Sequence, residues 1–395
     1  MAIQSAVSVD ILREKETAWG VLNVSPNMAR QRRVNSTLAL TKETFQSAEA
    51  RTDRNISDFR HGVRRVAGDL TGELSLEAWD WAIENGMGTA WDTEISDSNT
   101  EFTSVALSSG TWTMGSGSMY TEGYKIGDVI TFGATLSESA NNNVNFTILT
   151  MPTATTFTTF PTGTDFGADT AFTITRTGRK TIIGTAEDSY TIEQGYPGIT
   201  QYELFTGCSV AQLGFSLPAT GMAGITATIN GKDASALTGS TRDGTPTAVT
   251  ANDILAASNG SLIVDSSQVA VVTGMNFSVN NNITSEAVVG ANVVPDLFWG
   301  QSNVSGTMTA YFEDATLINA FINETAVKIH MQLAEPTGAP AGFMKFSMNN
   351  VKLGGATKDI PNSGGVLLTL PFQALKTSGA NGLDVSALTI QVSNN

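Results

Sequence analysis

Two histidines, His61 and His330, and one cysteine, Cys208, bound the chemistry open to this 395-residue chain. A metal site needs a cluster of ligands at characteristic spacing. The two histidines stand far apart with no such cluster around either. His61 reads as a solvated loop residue and His330 as a strand residue. Cys208 lies in the strand-like run Phe-Thr-Gly-Cys-Ser-Val. A thiol nucleophile needs a base partner, so this cysteine reads as a small core residue. Glycoside hydrolysis needs two carboxylates across a cleft, whereas most carboxylates here stand singly beside turns. Trp79 and Trp81 read as helix-packing residues; Trp112 in the insert is the one tryptophan that could serve as an exposed sugar platform, with packing the preferred reading. There is no GxxxxGK[ST] loop, GxSxG elbow or GxGxxG fingerprint, and Gly-Ser-Gly at 115–117 is an ordinary turn. Arg51, Arg54, Arg60, Arg64 and Arg65 form a cluster of the kind that meets nucleic acid. Asp53, Asp58 and Asp69 interleave with it, and alternating signs on a long loop suit protein docking better. The expectation is a protein with no enzymatic activity, no cofactor and no metal.

The elements that carry these residues are mostly strands. Thr37-Leu-Ala-Leu alternates, and so does Arg64 to Leu74, with Val66, Leu70 and Leu74 among its apolar positions. Residues 42–62 between them are polar and read as a long loop or extended hairpin. Ser75 to Glu84 reads as a helix capped by Ser75, with Leu76, Trp79 and Ile83 on one face and Asn85-Gly86 as its stop. A second helix is expected from about Asp314 to Asn323, burying Leu317, Ala320 and Phe321. These elements repeat. Val66, Gly68, Leu70 and Thr71 line up with Val304, Gly306, Met308 and Thr309 at an offset of 238 residues. Phe205, Val210 and Gly224 line up with Phe346, Val351 and Gly365 at an offset of 141. The difference, 238 − 141 = 97, is extra sequence in the first copy, and a duplicated β-rich unit is a building block for a closed ring. The extra piece falls between Trp91 and Ile183 and reads as short alternating strands of a small β-barrel or sandwich. The expected divisions are 1–91 and 184–236 for the first unit, 92–183 for the insert, 237–262 for a linker and 263–395 for the second unit.

Composition narrows the class. Apolar residues make up 41% and charged residues only 15%, with Gly, Thr, Ser, Ala and Asn abundant. That suits short strands and turns in an assembly where neighbours cover much of the surface. No stretch reaches the length of a membrane helix, and the N-terminus has no basic head followed by an apolar run. One cysteine allows no intrachain disulfide. The net charge is −15, unevenly spread: residues 1–65 hold 11 basic and 7 acidic side chains, the remainder 11 and 30. Such a molecule can bind copies of itself head to tail, and an acidic interior would repel nucleic acid.

Arg33-Val-Asn-Ser-Thr-Leu-Ala-Leu-Thr-Lys-Glu-Thr-Phe and the run from Arg54 to Ser75 resemble the tail tube proteins of long-tailed bacteriophages. Tyr190-Thr-Ile-Glu-Gln-Gly-Tyr, Phe205-Thr-Gly-Cys-Ser-Val, Thr226-Ala-Thr-Ile-Asn-Gly-Lys-Asp and Leu370-Pro-Phe-Gln-Ala-Leu are similar to the same family. The resemblance implies a mainly β fold: two tandem tube-type β-sandwich units, each with a flanking helix, plus the small inserted β domain. It implies rings whose inner strands close a β-barrel, stacked into a hollow tube that conducts DNA to the host. The duplication makes the expected ring a homotrimer with six pseudo-equivalent units. A long loop reaches the neighbouring ring in that family. Here that loop is 42–62, with Arg51, Asp53, Arg54, Asp58 and Arg60 as the inter-ring contacts, and its counterpart is the apolar 281–302. The implied partners are further copies of the chain, the tape measure, terminator and distal tail proteins, and DNA passing without tight binding, with no membrane. The implied location is the virion tail, after synthesis in the bacterial cytoplasm. The insert is expected on the outside of the tube and the lumen is expected to be net negative. A host-surface glycan-binding tail protein is the second expectation.

Overall fold

The structure is a computed structural model and describes residues 3–265, 267–268, 272–313, 315–338, 340–380 and 382–394. It is mainly β with two short helices. Alternation builds the main sheet. Along Gly224–Gly231 every second residue is buried, which places Ile225, Ala227 and Ile229 in the core and Thr226, Thr228 and Asn230 outward. Eight antiparallel positions follow one another across this sheet. They are Ala39–Gln46 with Asn35–Ser36, then Phe59–Glu73, Gly224–Gly231, the second half of Gln201–Pro218, Val272–Asn280, Asn303–Tyr311, Leu367–Ala374 and finally Thr357–Asp359. The first four belong to one half of the sequence and the last four to the other. The sheet is open at both ends.

A second layer backs each half. In the first, Asp10–Lys15 pairs with Tyr190–Tyr196, which pairs with the first half of Gln201–Pro218. In the second, Val327–Gly338 pairs with Ala341–Leu353, which pairs with Thr389–Val392. Gln201–Pro218 serves both layers, and a bulge between Val210 and Gln212 bends it from one to the other. The sandwich core is continuous between the halves. Phe215, Phe277 and Phe346 meet there with ring centroids 4.9, 4.8 and 5.2 Å apart.

The strand registers define the repeat. Gly224 faces Glu73 and Gly231 faces Val66, while Leu367 faces Tyr311 and Ala374 faces Val304. Thus 311 − 73 and 304 − 66 both give 238, and 367 − 224 and 374 − 231 both give 143. The later offset is therefore 143, not the 141 read from residue identity. Two positions of slippage kept the apolar parity of the strands, so sequence matching alone did not resolve it.

Both helices differ from expectation. The first is Asp80–Met87, closed by Gly88 in the left-handed conformation. Ser75 does not cap it: its backbone pairs with Ile254, and Glu77 takes a φ of 64° that no helix allows. Leu76 and Trp79 are fully buried nonetheless, by a turn that tucks them under the sheet. The second helix is Thr316–Ile322, and Asp314 lies outside the described residues. Leu317 and Ala320 pack on the core, but Phe321 and Ile322 are exposed, so the expected stripe is only partly covered. The segment 237–262 is strapped to the first unit. Asp243 accepts from the Met28 amide, and Arg242 donates to Glu14 at 3.0 Å.

Residues 95–176 form a separate eight-stranded sheet with its own core. Trp112 is its centre, stacked on Phe132 at 4.6 Å and on Phe157 at 5.9 Å, with Nε1 donating to Thr159. It is completely buried, which agrees with a packing role and excludes a sugar platform. The next strand, Arg179–Ile182, rejoins the main body by pairing with Thr389–Val392. The insert docks on the second unit through a buried polar layer. Gln391 donates to the carbonyls of Val129 and Thr177 and accepts from the Val129 amide at 2.7 Å. Lys180 bridges Asp128 at 3.0 Å and Asp384 at 3.2 Å. Burial opposes the Lys180 charge, but the two carboxylates outweigh it and hold the group above its ordinary range.

Lys345 has no comparable compensation. It is buried with its Nζ on the Thr147 hydroxyl at 2.7 Å, and burial pushes it well below the ordinary lysine range despite the pull of Asp128. A base depressed in the folded state binds fewer protons there than when unfolded, so stability rises with pH up to the unfolded value near 10.5. Lys345→Met should therefore stabilise the chain by about 1–3 kcal/mol near neutral pH. Its melting temperature should also gain less than wild type between pH 7 and 9. Differential scanning fluorimetry across that range checks both.

Candidate assembly surfaces

The two strands Ala39–Gln46 and Phe59–Glu73 run on past the sheet as a hairpin. Gly224–Gly231 pairs only with residues 66–73, whereas Gln46 still pairs with Phe59, so about seven residues of each arm project beyond the sheet. At ~3.3 Å per residue the arm reaches roughly 23 Å. Its base is braced. The Arg64 amide donates to the Asn292 carbonyl at 2.9 Å, and its guanidinium pairs with Asp233 at 2.7 Å. The later part of loop 281–302 thus lies against the first unit, with Val294 and Leu297 buried, while Val288 and Val289 stay exposed.

The charged residues expected to make contacts are at the hairpin tip, and most are paired with one another. Arg51 meets Asp53 at 3.3 Å and Glu49 at 3.8 Å, and Arg60 meets Asp58 at 2.8 Å. The Arg51 side chain, with help from the Asn55 amide, lowers the Asp53 carboxyl below its usual range. Arg54 stands at a φ of 59° at the turn. Residues 42–62 carry four basic and four acidic side chains, so the segment has no net charge of its own. The apolar residues on the arm are the uncommitted ones: Phe45, Ile56 and Phe59 are all exposed. Charge density is the stronger signal in the sequence and masks these three. Their signal was apolar residues on a strand extended beyond any partner.

The basic excess of residues 1–65 is largely spent inside the fold. Arg33 donates to the carbonyls of Ala6 and Val9, Arg32 to that of Asn252, and Arg13 to Gln31. The buried carboxylates are committed as well. Glu16 accepts from Ser189, Thr191, Gly20 and Gly207, and Glu193 accepts from Thr241 and Arg242. Cys208 is buried against this network, and burial first, then Glu16, raises its thiol well above the ordinary value. His330 is fully buried too, and burial together with Lys345 and Lys328 lowers it. His61 stands exposed on the hairpin arm, edge-on to Phe59 at 5.3 Å. Among the described residues no group of three His, Cys, Asp or Glu side chains is placed to hold a metal ion. No helix there is long and apolar enough to cross a membrane.

The outward face of the main sheet is concave. An open trough of about 740 Å³ runs across six strands, lined by Thr71, Ser216, Thr226, Ser278, Ser305 and Thr307 among others. Serine, threonine and glycine alternate along it, with Val34, Pro371 and a single amide, Asn276, and its exposed surface is more apolar than polar. The few charges sit off this stretch: Asp69 is bonded to Thr228, and Arg65 is paired with Glu43 at 3.2 Å. Glu73, opposite Gly224, and Asp359 follow the same alternation and are exposed, so the charges on this face are few and lean acidic.

The two ends of this sheet form another surface that the sequence did not flag. Asn35–Ser36 and Ala39–Gln46 pair on one side only, with Phe59–Glu73. Thr357–Asp359 pairs on one side only, with Leu367–Ala374. Val34 beside the first edge and Ile360 beside the second are both exposed. A row of unpaired backbone groups flanked by apolar side chains is a template for another strand.

Comparison with known proteins agrees with this arrangement. No curated protein matched the chain. The family model described as phage tail tube protein matches residues 5–374, which is nearly the whole length. The chain therefore belongs to the phage tail tube protein family, whose members are structural proteins of the virion tail.

Proposed function

We propose that three copies close into a ring, and that rings stack into a tube through which DNA leaves the virion. One observation carries this: two equivalent halves join by ordinary strand pairing into a single concave eight-stranded sheet whose two ends are open. Three chains supply 3 × 8 = 24 strand positions. At a strand spacing of ~4.8 Å and a tilt of about 40°, such a barrel measures roughly 48 Å between opposing backbones. Side chains reduce this to about 38 Å, wide enough for a DNA duplex. The concave face would line that channel. Duplex DNA is held by Lys and Arg on its phosphates, and a wall of small hydroxyl side chains, glycines and a few carboxylates offers few such contacts, so DNA slides. Burial of Trp112 takes away the feature that favoured a glycan-binding role.

In this account the hairpin 42–62 reaches the next ring, bringing Arg51, Asp53, Arg54, Asp58 and Arg60 to the contact. Exposed ion pairs are worth only ~0–1 kcal/mol each and are already made within the tip. The docking energy then comes mainly from Phe45, Ile56 and Phe59, with the charges fixing orientation. Tape measure, terminator and distal tail proteins would meet the tube at its interior and ends.

Purified protein imaged by negative stain should show rings or tubes, and persistent monomers at high concentration would contradict the proposal. Assembled tubes should leave duplex DNA unshifted in a low-salt mobility assay, whereas tight retention would rule out an indifferent channel. The triple variant Phe45→Ser, Ile56→Ser, Phe59→Ser should still form rings but no longer stack them. Tubes of normal length from that variant would transfer the stacking role to loop 281–302.

A further inference from the structure

We infer that the seam between neighbouring chains is a copy of the seam inside each chain, with Asn35–Thr41 of one copy pairing antiparallel to Gly355–Pro361 of the next. This rests on the ring proposed above and adds the partner strands and their register. Inside the chain, Gln212–Pro218 of the first unit pairs with Gly274–Asn280 of the second through seven residue pairs, from Gln212 opposite Asn280 to Pro218 opposite Gly274. Each of these strands has a counterpart fixed by register. Gly214 faces Thr226 and Thr357 faces Thr369, so 357 − 214 and 369 − 226 both equal 143. Asn35 faces Thr71 and Gly274 faces Thr309, so the first strand of the hairpin shifts by 274 − 35 = 239 while the second shifts by 309 − 71 = 238.

Applying these shifts moves the internal seam to the two open edges. Gly214 opposite Ser278 becomes Thr357 opposite Ala39, since 214 + 143 = 357 and 278 − 239 = 39. Gln212 opposite Asn280 becomes Gly355 opposite Thr41, and Pro218 opposite Gly274 becomes Pro361 opposite Asn35. The edges fit this use. Each is unpaired on the required side in the single chain, and Ile360, the counterpart of the fully buried Leu217, is exposed only because its partner strand is absent. A second sign lies on the helices. Asn281 of the second unit donates to the Gly86 carbonyl at the end of the first helix, while the second helix leaves Phe321 and Ile322 exposed.

The two seams differ in strength. The internal one buries Phe215 against Phe277, whereas the same positions between chains hold Lys358 and Leu38. The internal seam forms with the fold, and the outer one is the weaker joint where rings open and close.

The test uses the full chain with Ala39→Cys and Thr357→Cys together, in the presence of the buried Cys208. Wild type and the double variant are assembled, imaged by negative stain, oxidised with copper phenanthroline and run on non-reducing gels. A ladder of covalent dimers and trimers from the double variant, and none from either single variant, is expected. Rings without that cross-link, or an equal cross-link from Thr41→Cys with Thr357→Cys, overturn the register while leaving the ring itself standing. Absence of rings in wild type overturns both. If the double variant does not assemble, loss of thiol labelling at Ala39→Cys on assembly of that single variant is the expected result, and full labelling within rings overturns the inference.

Discussion

Backbone hydrogen bonding across one line of strands governs this molecule. Gln212–Pro218 and Val272–Asn280 join the halves as neighbouring strands of one sheet, so the halves share a core instead of hinging on a linker. A sheet built this way has two ends, and each end exposes amides and carbonyls that need partners. A protein that worked alone would cover such edges with a helix, a bulge or charge. Here they remain open and carry Val34 and Ile360, which suits a chain that completes itself with copies.

The electrostatics follow the same logic. Most arginines near the N-terminus are consumed in pinning the loops of the first unit, and those at the hairpin tip are paired with neighbouring carboxylates. The remaining acidity is spread over the surface, and Glu73 and Asp359 bring a little of it to the concave face. Inside, the polar layer under the insert ties residues 95–176 to the second unit through Gln391, Lys180 and Asp128. The insert is therefore packed on the second unit, although it branches from the first unit's sequence.

Strands and their faces were legible because alternation is a local signal: Val66, Leu70 and Leu74 stood out, and so did the repeat. Helix ends were not. Ser75 looks like a cap, but backbone pairing to Ile254 claims it, and that partner lies far away in sequence. The 143-residue offset escaped because a two-residue slip preserves which side chains face inward. For Trp112 the sequence favoured packing, but an aromatic in a small β domain is compatible with a platform as well as a core, and the contacts with Phe132 and Phe157 decide for the core. The charged hairpin was visible as a segment, yet its internal ion pairs and its exposed Phe45, Ile56 and Phe59 depend on how the arms pair.

The central claim is that the join within the chain is the template for the joins between chains. A cryo-EM cross-section of one assembled ring tests it most directly. The account predicts three chains, 24 inner strand positions and six nearly equivalent seams around a continuous barrel. Six chains per ring, or three chains with gaps where residues 35–41 and 355–361 should meet, would contradict it.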